Sequence, residues 1–200
     1  MIIALLVLIS SNKEAVMSIV IAVKKQGKTV IGSDSKCSDI NTLHPAQEKI
    51  NSSKIHFLKH GTIGHVGETT YHTILDYLCL EHEDCFNFAD RMSTYKSMLK
   101  IQKILTEKCL SLPTGNHFKG SGMNLLIATH KTIFHIDPER NVDEFSRFWA
   151  IGSGHSFALG SLESLYETSL SAEQIVEQTL HTVCKYDLHS NEPYHTHTID

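Results

Sequence analysis

The sequence predicts an α+β protein in which two antiparallel β-sheets pack face to face, with pairs of helices on the outside. Short β-rich runs bounded by turn residues come in groups, and pairs of segments with helical periodicity separate these groups. Because strands and helices do not alternate one by one, a doubly wound parallel sheet is disfavoured. The length of 200 residues suits one domain with a substantial core.

Two hairpins are predicted before the first helix. β-rich runs at 18–23 and 28–33 flank a turn that contains glycine, and runs at 54–58 and 62–67 flank a second such turn. The polar stretch between the hairpins, 34–53, has no pattern that assigns it to a strand or a helix.

Helical periodicity marks four later segments. Helices are predicted over 68–81, 88–110, 158–168 and 171–186, and the last begins with the capping box Ser171-x-x-Gln174. The second helix is expected to bury an apolar stripe composed of Met92, Tyr95, Leu99, Ile101, Ile104, Leu105 and Cys109. Further strands are predicted at 124–129, 131–137, 145–151 and 194–199, the last of them at a sheet edge.

Composition and charge exclude several classes of protein. The 18 basic and 22 acidic residues give a formal net charge of −4, so the chain has no electrostatic footprint for nucleic acid or an anionic membrane. The five cysteines are scattered, with no C-x-x-C pair, which favours reduced thiols in a cytoplasmic protein over a zinc ribbon or a disulfide scaffold. No cofactor is indicated.

The first 17 residues form a separate question. The run 2–9 has eight apolar residues, too few for a hydrocarbon core that needs about 20, and it lacks the basic start and cleavage site of a signal peptide. Residues 1–17 are therefore expected to be a leader, a removable pro-segment or a misassigned start. One domain is expected over 18–200.

Four short features could carry chemistry, although each alone has an ordinary structural explanation. They are Ser18 before the first strand, Asp34 at the end of the second, Lys54 at the start of the third, and the turn Gly152-Ser153-Gly154. In this order and spacing they resemble the proteasome β-subunit and HslV-type peptidase family of N-terminal nucleophile hydrolases. The matching stretches are SIVIAVKKQGKTVIGSDS (18–35), KIHFL (54–58), IGHVG (63–67), FWAIGSGHSFALGS (148–161) and DLHS (187–190).

The resemblance implies a four-layer αββα sandwich and a definite set of roles. Ser18 would be the nucleophile, and its own α-amine, with a usual pKa of about 7.7–8.0, would be the base. Lys54 would act as a buried cation held by Asp34, and the backbone N–H of Gly64 would stabilise the oxyanion. The orienting residues near the amine would be Ser153, Asp187 and Ser190.

The reaction implied is hydrolysis of peptide bonds in a peptide or unfolded protein. The resemblance further implies a homo-oligomeric ring and an ATP-driven unfoldase as partner. Exposure of the Ser18 amine requires removal of residues 1–17, either by methionine aminopeptidase acting at Met17 or by self-cleavage. An inactive structural subunit and a small-molecule amidase remain as alternatives.

Two assignments stay open on the residues alone. The family nucleophile is normally Thr, and Ser18 keeps the hydroxyl but lacks the methyl group that restrains the side-chain rotamer. Lys49 lies closer to Asp34 in sequence than Lys54 does, although Lys54 fits the family pattern better.

The 14 histidines are expected to contribute little to the chemistry. His195 and His197 lie two apart on a predicted strand with His189 nearby, but no cysteine or carboxylate completes a tetrahedral set at motif spacing. His65 and His155 flank the predicted site and are expected at most to line a pocket. No metal site is expected.

Overall fold

The computed structural model describes residues 18–38, 41–108, 110 and 122–199. Its strands are β1 (Ile19–Lys25), β2 (Lys28–Asp34), β3 (Cys37–Ser38), β4 (Leu43–His44), β5 (Ile55–Leu58), β6 (Gly61–Val66), β7 (Asn124–Ala128), β8 (Ile133–Ile136), β9 (Val142–Phe145), β10 (Phe148–Gly152) and β11 (Tyr194–Ile199). Its α-helices are α1 (Thr70–Glu81), α2 (Arg91–Glu107), α3 (His155–Tyr166) and α4 (Ala172–Tyr186). Single 3₁₀ turns lie at Ala46–Glu48 and Glu83–Cys85.

Two antiparallel sheets form the centre of the molecule, which confirms the predicted fold class. One has the strand order β10-β1-β2-β11 and the other the order β5-β6-β7-β8-β9. Helices α3 and α4 pack on the first sheet, and α1 and α2 pack on the second. The result is a four-layer αββα sandwich.

The alternation of side chains along β1 shows how the layers are held together. Ile19, Ile21 and Val23 pack into the cluster beneath α3 and α4, whereas Val20 and Ala22 pack into the cluster between the two sheets. Both faces of this strand are buried, so it is apolar at successive positions rather than at alternate ones.

Both predicted hairpins are present. The first joins β1 and β2 with Lys25 paired to Lys28, and the second joins β5 and β6 with Leu58 paired to Gly61. The unassigned polar stretch contains the short ladder of β3 and β4. The chain end forms β11, paired with β2 at the sheet edge, as its alternating pattern predicts.

One strand prediction is wrong. The run 145–151 is not continuous, because β9 ends at Phe145 and β10 begins at Phe148 in the other sheet. The break falls at the polar pair Ser146-Arg147, and the aromatic residues on both sides hide it from a hydrophobicity pattern.

The predicted helices are present with shifted ends. The second helix begins at Arg91 because Asp90 caps it, accepting a hydrogen bond from Ser93 N at 2.8 Å. The third begins at His155, directly after the turn at Gly154, and the fourth has the predicted capping box at Ser171.

The apolar stripe predicted for α2 is only partly correct. Met92 is 58% exposed and Leu99 is 42% exposed, while Met98, Ile101 and Leu105 form the buried face. The buried face also includes Thr94 and Ser97. Because part of this face is polar, the hydrophobicity pattern selects Ile101 and Leu105 correctly but adds Met92 and Leu99 from the exposed side. Cys109 lies outside the described residues.

The register places four chain segments at one end of the sandwich. Ile19 pairs with Gly152, Val20 pairs with Ser33, and Tyr194 pairs with Asp34. The start of β1, the end of β2, the turn after β10 and the start of β11 therefore meet. Ser18, Asp34 and Ser153 lie on these segments, and Asp187 and Ser190 lie shortly before β11. Lys54 and Gly64 belong to the β5–β6 hairpin of the facing sheet. In the described part of the chain, no helix has the length and apolar character needed to cross a membrane.

Candidate functional site

Ser18 lies directly before β1 and is 2% exposed. Its neighbour Ile19 is fixed by the sheet register, with Gly152 of β10 opposite it, and the next residue, Val20, pairs with both β10 and β2. Ile19 N also donates a hydrogen bond to Asp34 Oδ1 at 3.0 Å. The position of the Ser18 hydroxyl is thus set by the rigid sheet rather than by a loop.

Lys54 connects Ser18 with Asp34. Its Nζ lies 2.6 Å from Ser18 Oγ and 2.7 Å from Asp34 Oδ1. The Lys54 side chain is 12% exposed and that of Asp34 is fully buried. The structure therefore brings a hydroxyl, an ammonium and a carboxylate into one hydrogen-bonded row.

Asp34 is held by the backbone as well as by Lys54. Its second oxygen accepts hydrogen bonds from Lys36 N at 2.9 Å and from Asn191 N at 3.4 Å. Together with Ile19 N, these donors satisfy a carboxylate that has no access to water. Such a carboxylate is a fixed negative charge that orients Lys54.

Burial sets the electrostatics of Lys54. Removal from water lowers the pKa of Lys54 below its usual value, while the adjacent Asp34 carboxylate acts in the opposite direction. The balance of the two makes the ammonium a better proton donor than a lysine in solvent. An ammonium of this kind suits a position beside Ser18 Oγ, where negative charge would develop if the hydroxyl lost its proton.

A second hydrogen-bonded group lies on the backbone side of Ser18. The hydroxyls of Ser153 and Ser190 both donate to Asp187 Oδ2, at 2.8 and 2.6 Å. Ser18 N in turn donates to Ser153 Oγ at 3.4 Å. Six of the seven candidate residues therefore form two connected networks that meet at Ser18.

The glycines of the turn after β10 are explained by close packing. Gly152 has φ +113°, and a Cβ there would lie 2.1 Å from Ser18 O. A Cβ on Gly154 would lie 2.3 Å from Val183 Cγ1 and 3.2 Å from Asp187 Oδ2. The motif Gly152-Ser153-Gly154 thus allows the turn to approach both Ser18 and Asp187, a role for its glycines that sequence reasoning did not assign.

Gly64 lies on β6 at the register position opposite Ile55, the residue that follows Lys54. A Cβ on Gly64 would lie 2.4 Å from Val20 Cγ1, so the glycine is required for the two sheets to approach each other. Gly64 also pairs with Leu126 of β7. The structure places it close in register to Lys54, and its predicted role as an oxyanion donor stays a prediction.

Lys49 lies at the end of the 3₁₀ turn Ala46–Glu48. Burial lowers the pKa of His72 on α1, and the charge of Lys49 acts in the same direction. The lysine in contact with Asp34 and Ser18 is Lys54.

A cluster of three histidines lies on the other face of the β5–β6 hairpin. His56 and His65 are each 4% exposed, and His72 reaches them from the first turn of α1. Asp76, one turn later on α1, lies 2.9 Å from His56 Nδ1 and 3.7 Å from His72 Nε2. We refer to His56, His65 and His72 as the histidine cluster.

Burial governs the protonation of the histidine cluster. It lowers the pKa of His56 to about 4, with His72 contributing and Asp76 opposing. Burial and the neighbouring His56 lower the pKa of His65 well below its usual value, and burial lowers that of His72. All three imidazoles are therefore neutral at pH 7.

The sequence prediction for His65 missed this grouping. His65 packs against two other imidazoles under α1, on the opposite face of β6 from Gly64. His155 instead starts α3, where its Nδ1 lies 2.9 Å from Gly152 O. His56 pairs with Ile63 across a two-residue turn, and His65 lies two residues beyond Ile63 on the same face, so the odd separation of 56 and 65 is the signal that could have placed both on one face.

The histidines near the chain end make ordinary contacts. His195 Nε2 lies 3.2 Å from Ser52 Oγ, and the His197 ring packs against Phe57 at a centroid distance of 4.6 Å. Neither belongs to a group of potential metal ligands among the described residues.

A cavity of about 700 Å³ opens away from Ser18, at the turn of the β5–β6 hairpin and the segment before α2. Its lining includes Lys59, His60, Phe86 and Lys131, and it does not include any of the seven candidate residues. Hydrogen bonding, rather than cavity size, therefore locates the candidate site in the described part of the chain.

Comparisons with known proteins agree with this geometry. The family model for the proteasome subunit matches residues 18–198. The ATP-dependent protease subunit HslV of Bartonella quintana (strain Toulouse) is 27% identical over 189 residues, which cover 90% of this chain and 88% of that protein.

Solved structures show the same architecture. Thiobacillus denitrificans BPH is similar with a TM-score of 0.82 and 25% identity, over 91% of this chain and 97% of that one. Its complex with epoxomicin gives a TM-score of 0.83 at 24% identity, over 91% and 98% of the two chains. Eukaryotic HslV from Trypanosoma brucei shares the fold, with a TM-score of 0.66 and 17% identity over 91% and 99%.

The family match spans nearly all described residues and begins at the serine that contacts Lys54. The fold, the two hydrogen-bonded networks and this match lead to one conclusion: the chain belongs to the proteasome family of N-terminal nucleophile hydrolases.

Proposed function

We propose that this chain is a proteasome-like peptidase in which Ser18, exposed by removal of residues 1–17, is the nucleophile. The observation that carries the proposal is the position of Lys54 Nζ, within hydrogen-bond distance of both Ser18 Oγ and Asp34 Oδ1. A serine hydroxyl is a weak nucleophile and needs a base and nearby positive charge. The site supplies the charge, and a free amine at Ser18 supplies the base.

The first step forms an ester between Ser18 and the substrate. The Ser18 amine takes the hydroxyl proton as Oγ attacks the peptide carbonyl carbon, and the Lys54 ammonium stabilises the negative charge developing on Oγ. The N–H of Gly64 is the proposed donor to the oxyanion. The C–N bond then breaks, and the leaving amine receives the proton held by the Ser18 amine.

The second step reverses this proton path. Water gives a proton to the Ser18 amine and attacks the ester carbonyl, and the acid product leaves as Oγ takes back a proton. The network of Ser153, Asp187 and Ser190 holds the amine through Ser153 Oγ, which lies 3.4 Å from Ser18 N. The network thereby stabilises the protonated amine that forms within each step, and the amine is neutral again between the two steps, ready to act as base.

Removal of residues 1–17 is part of the proposal. The start of the family match at residue 18 supports a domain that begins there. Methionine aminopeptidase acting on a chain that begins at Met17 would expose Ser18 directly, since serine is small. Otherwise Ser18 would cleave the preceding bond itself.

Assembly into a homo-oligomeric ring, with an ATP-driven unfoldase feeding it unfolded protein, completes the proposed function. The Bartonella relative is by name a subunit of an ATP-dependent protease. On the outer helical layer of this chain, Phe157 and Tyr186 are 48% and 60% exposed and stack with ring centroids 6.3 Å apart. Exposed aromatic pairs of this kind are common at protein–protein interfaces.

Two measurements test the proposal. Intact mass and N-terminal sequencing of the purified chain are expected to show a start at Ser18, and hydrolysis of fluorogenic peptide amides is expected to be lost in Ser18→Ala. A chain that keeps residues 1–17 and hydrolyses nothing would support the inactive structural subunit instead. Unchanged peptide turnover by Ser18→Ala would contradict the assignment of the nucleophile.

A further inference from the structure

The histidine cluster has the composition and geometry of a metal site. We propose that His56, His65 and His72 bind one divalent transition-metal ion, with Zn²⁺ the best match, and that Asp76 supports the site from outside the ligand set. This proposal is independent of the proposed peptidase function, because it uses none of the residues in contact with Ser18.

The three side chains converge on one point. Their potential ligand atoms all lie within 4.8 Å of one another, and the ring centroids form a triangle with sides of 4.8, 5.5 and 5.5 Å. Nitrogens bound to one tetrahedral zinc ion at about 2.0–2.1 Å lie about 3.4 Å apart. Nitrogens up to 4.8 Å apart reach this spacing when each shifts by about 1 Å toward their common centre.

The hydrogen bonding of His56 directs a nitrogen to this point. His56 Nδ1 lies 2.9 Å from Asp76 Oδ1, and a carboxylate can only accept, so Nδ1 carries the proton and Nε2 presents a lone pair. A carboxylate that holds the far nitrogen of a histidine is the usual outer support of a zinc ligand. Asp76 has this relation to His56, and its second oxygen lies 3.7 Å from His72.

Two nitrogens of the cluster have no partner among the described residues. His56 Nε2 and His65 Nδ1 are buried and make no hydrogen bond. A buried polar atom without a hydrogen-bond partner is destabilising, and these two lie in one group of side chains. A metal ion satisfies both at once.

The surroundings decide the kind of ion. Three neutral imidazoles suit zinc, copper or nickel rather than the hard ions Mg²⁺ and Ca²⁺, which prefer oxygen. With three histidines and one further position for water, the set matches the open tetrahedral zinc arrangement. His72 is 15% exposed, which gives the ion a path from solvent along α1.

The histidine cluster and the Ser18 network both involve the β5–β6 hairpin, since His56 and His65 lie on its strands and Lys54 directly precedes β5. His65 N donates a hydrogen bond to Lys54 O at 3.2 Å. His65 is therefore both a proposed metal ligand and a residue that holds the backbone of Lys54 in place. Metal binding would therefore stiffen the β5–β6 hairpin. It is expected to raise the thermal midpoint of the protein.

The test measures Zn²⁺ uptake by the full protein without a polyhistidine tag. Titration against a chromophoric chelator gives stoichiometry and affinity, and Co²⁺ substitution reports tetrahedral coordination through its intense visible absorption. The ligand variants are His56→Gln, His65→Gln and His72→Gln, and the matched control is His60→Gln, which changes an exposed histidine in the hairpin turn. Asp76→Asn tests the outer support.

One zinc ion per chain is expected in the wild type and in His60→Gln, with the Co²⁺ spectrum of a tetrahedral site. Asp76→Asn is expected to weaken binding by about 10–100-fold, and loss of a ligand to weaken it further. A wild type that takes up no stoichiometric Zn²⁺, or a His72→Gln variant that binds as tightly as the wild type, would overturn the proposal. His72 is at the helix surface, so this variant decides the matter even where His56→Gln or His65→Gln does not fold.

Discussion

Replacement of Lys54 by Met separates the catalytic and structural roles of the central lysine. Lys54→Met keeps the length and most of the apolar stem but removes the contacts to Ser18 Oγ at 2.6 Å and to Asp34 Oδ1 at 2.7 Å. Removal of one preorganised group that stabilises developing charge costs about 10²–10³-fold in rate. We therefore expect acylation of Ser18 to slow by about that factor.

The same change leaves Asp34 buried without its counter-charge. Breaking a buried ion pair costs about 3–5 kcal/mol of unfolding free energy. Three backbone N–H groups still donate to Asp34, those of Ile19, Lys36 and Asn191, so we expect the lower end, about 3 kcal/mol. The double variant Lys54→Met/Asp34→Asn removes the unpaired charge and is expected to recover part of this stability but none of the activity.

Two assays on the same samples test this reasoning. Urea unfolding gives the stability of each variant, and the rate at which an epoxyketone such as epoxomicin labels the chain gives the reactivity of Ser18. Lys49→Met is the matched control, since Lys49 is the alternative site lysine that the sequence left open, and it is expected to keep the wild-type labelling rate. Labelling of Lys54→Met within about threefold of the wild type, or recovery of labelling in the double variant, would refute the role given to Lys54.

Three further predictions follow from the structure. Gly152→Ala places a Cβ 2.1 Å from Ser18 O at a residue with φ +113°, so peptide turnover and the thermal midpoint are both expected to fall. A variant that melts at the wild-type temperature would contradict the packing argument. Ser18→Thr adds only the methyl group that restrains the rotamer, so turnover is expected to persist or rise, in contrast to the loss in Ser18→Ala. With a chelator present to remove metal ions, the free energy of unfolding is expected to fall as the pH drops from about 6.5 to about 4. In this range His56 binds a proton in the unfolded chain but not in the native state, where its pKa is about 4. This dependence is worth up to about 3 kcal/mol for His56 alone, and His56→Gln should flatten it whereas His60→Gln should not.

Most of the fold was predictable because its strands are bounded by strong local signals. The hairpin of β1 and β2 has a two-residue turn, Gln26-Gly27, and the start of α4 has a complete capping box. The division at Ser146-Arg147 was not predictable, since aromatic residues continue on both sides and only the change of sheet separates β9 from β10.

The two networks around Ser18 could be anticipated from the resemblance, but their geometry could not. Ser18 and Lys54 are 36 residues apart, and Ser18 and Ser153 are 135 residues apart. Only the sheet register, which sets Ile19 opposite Gly152, brings these segments together. Spacing along the chain says nothing about such long-range contacts.

The histidine cluster escaped prediction for a different reason. His56 and His65 lie on two strands, and His72 lies on a helix, so no short sequence motif contains them. Their convergence depends on α1 packing over the β5–β6 hairpin, which is a tertiary feature. A scan for metal-ligand spacing looks within one element and instead selects His195 and His197.

The most direct test of the central claim is the site of covalent labelling. After treatment with epoxomicin, the wild-type chain is expected to gain one inhibitor mass, and fragmentation is expected to place it on a peptide that begins at Ser18. Ser18→Ala should gain none. A chain that starts at Met1 and stays unlabelled, or an adduct on any residue other than Ser18, would contradict the assignment of Ser18 as an N-terminal nucleophile.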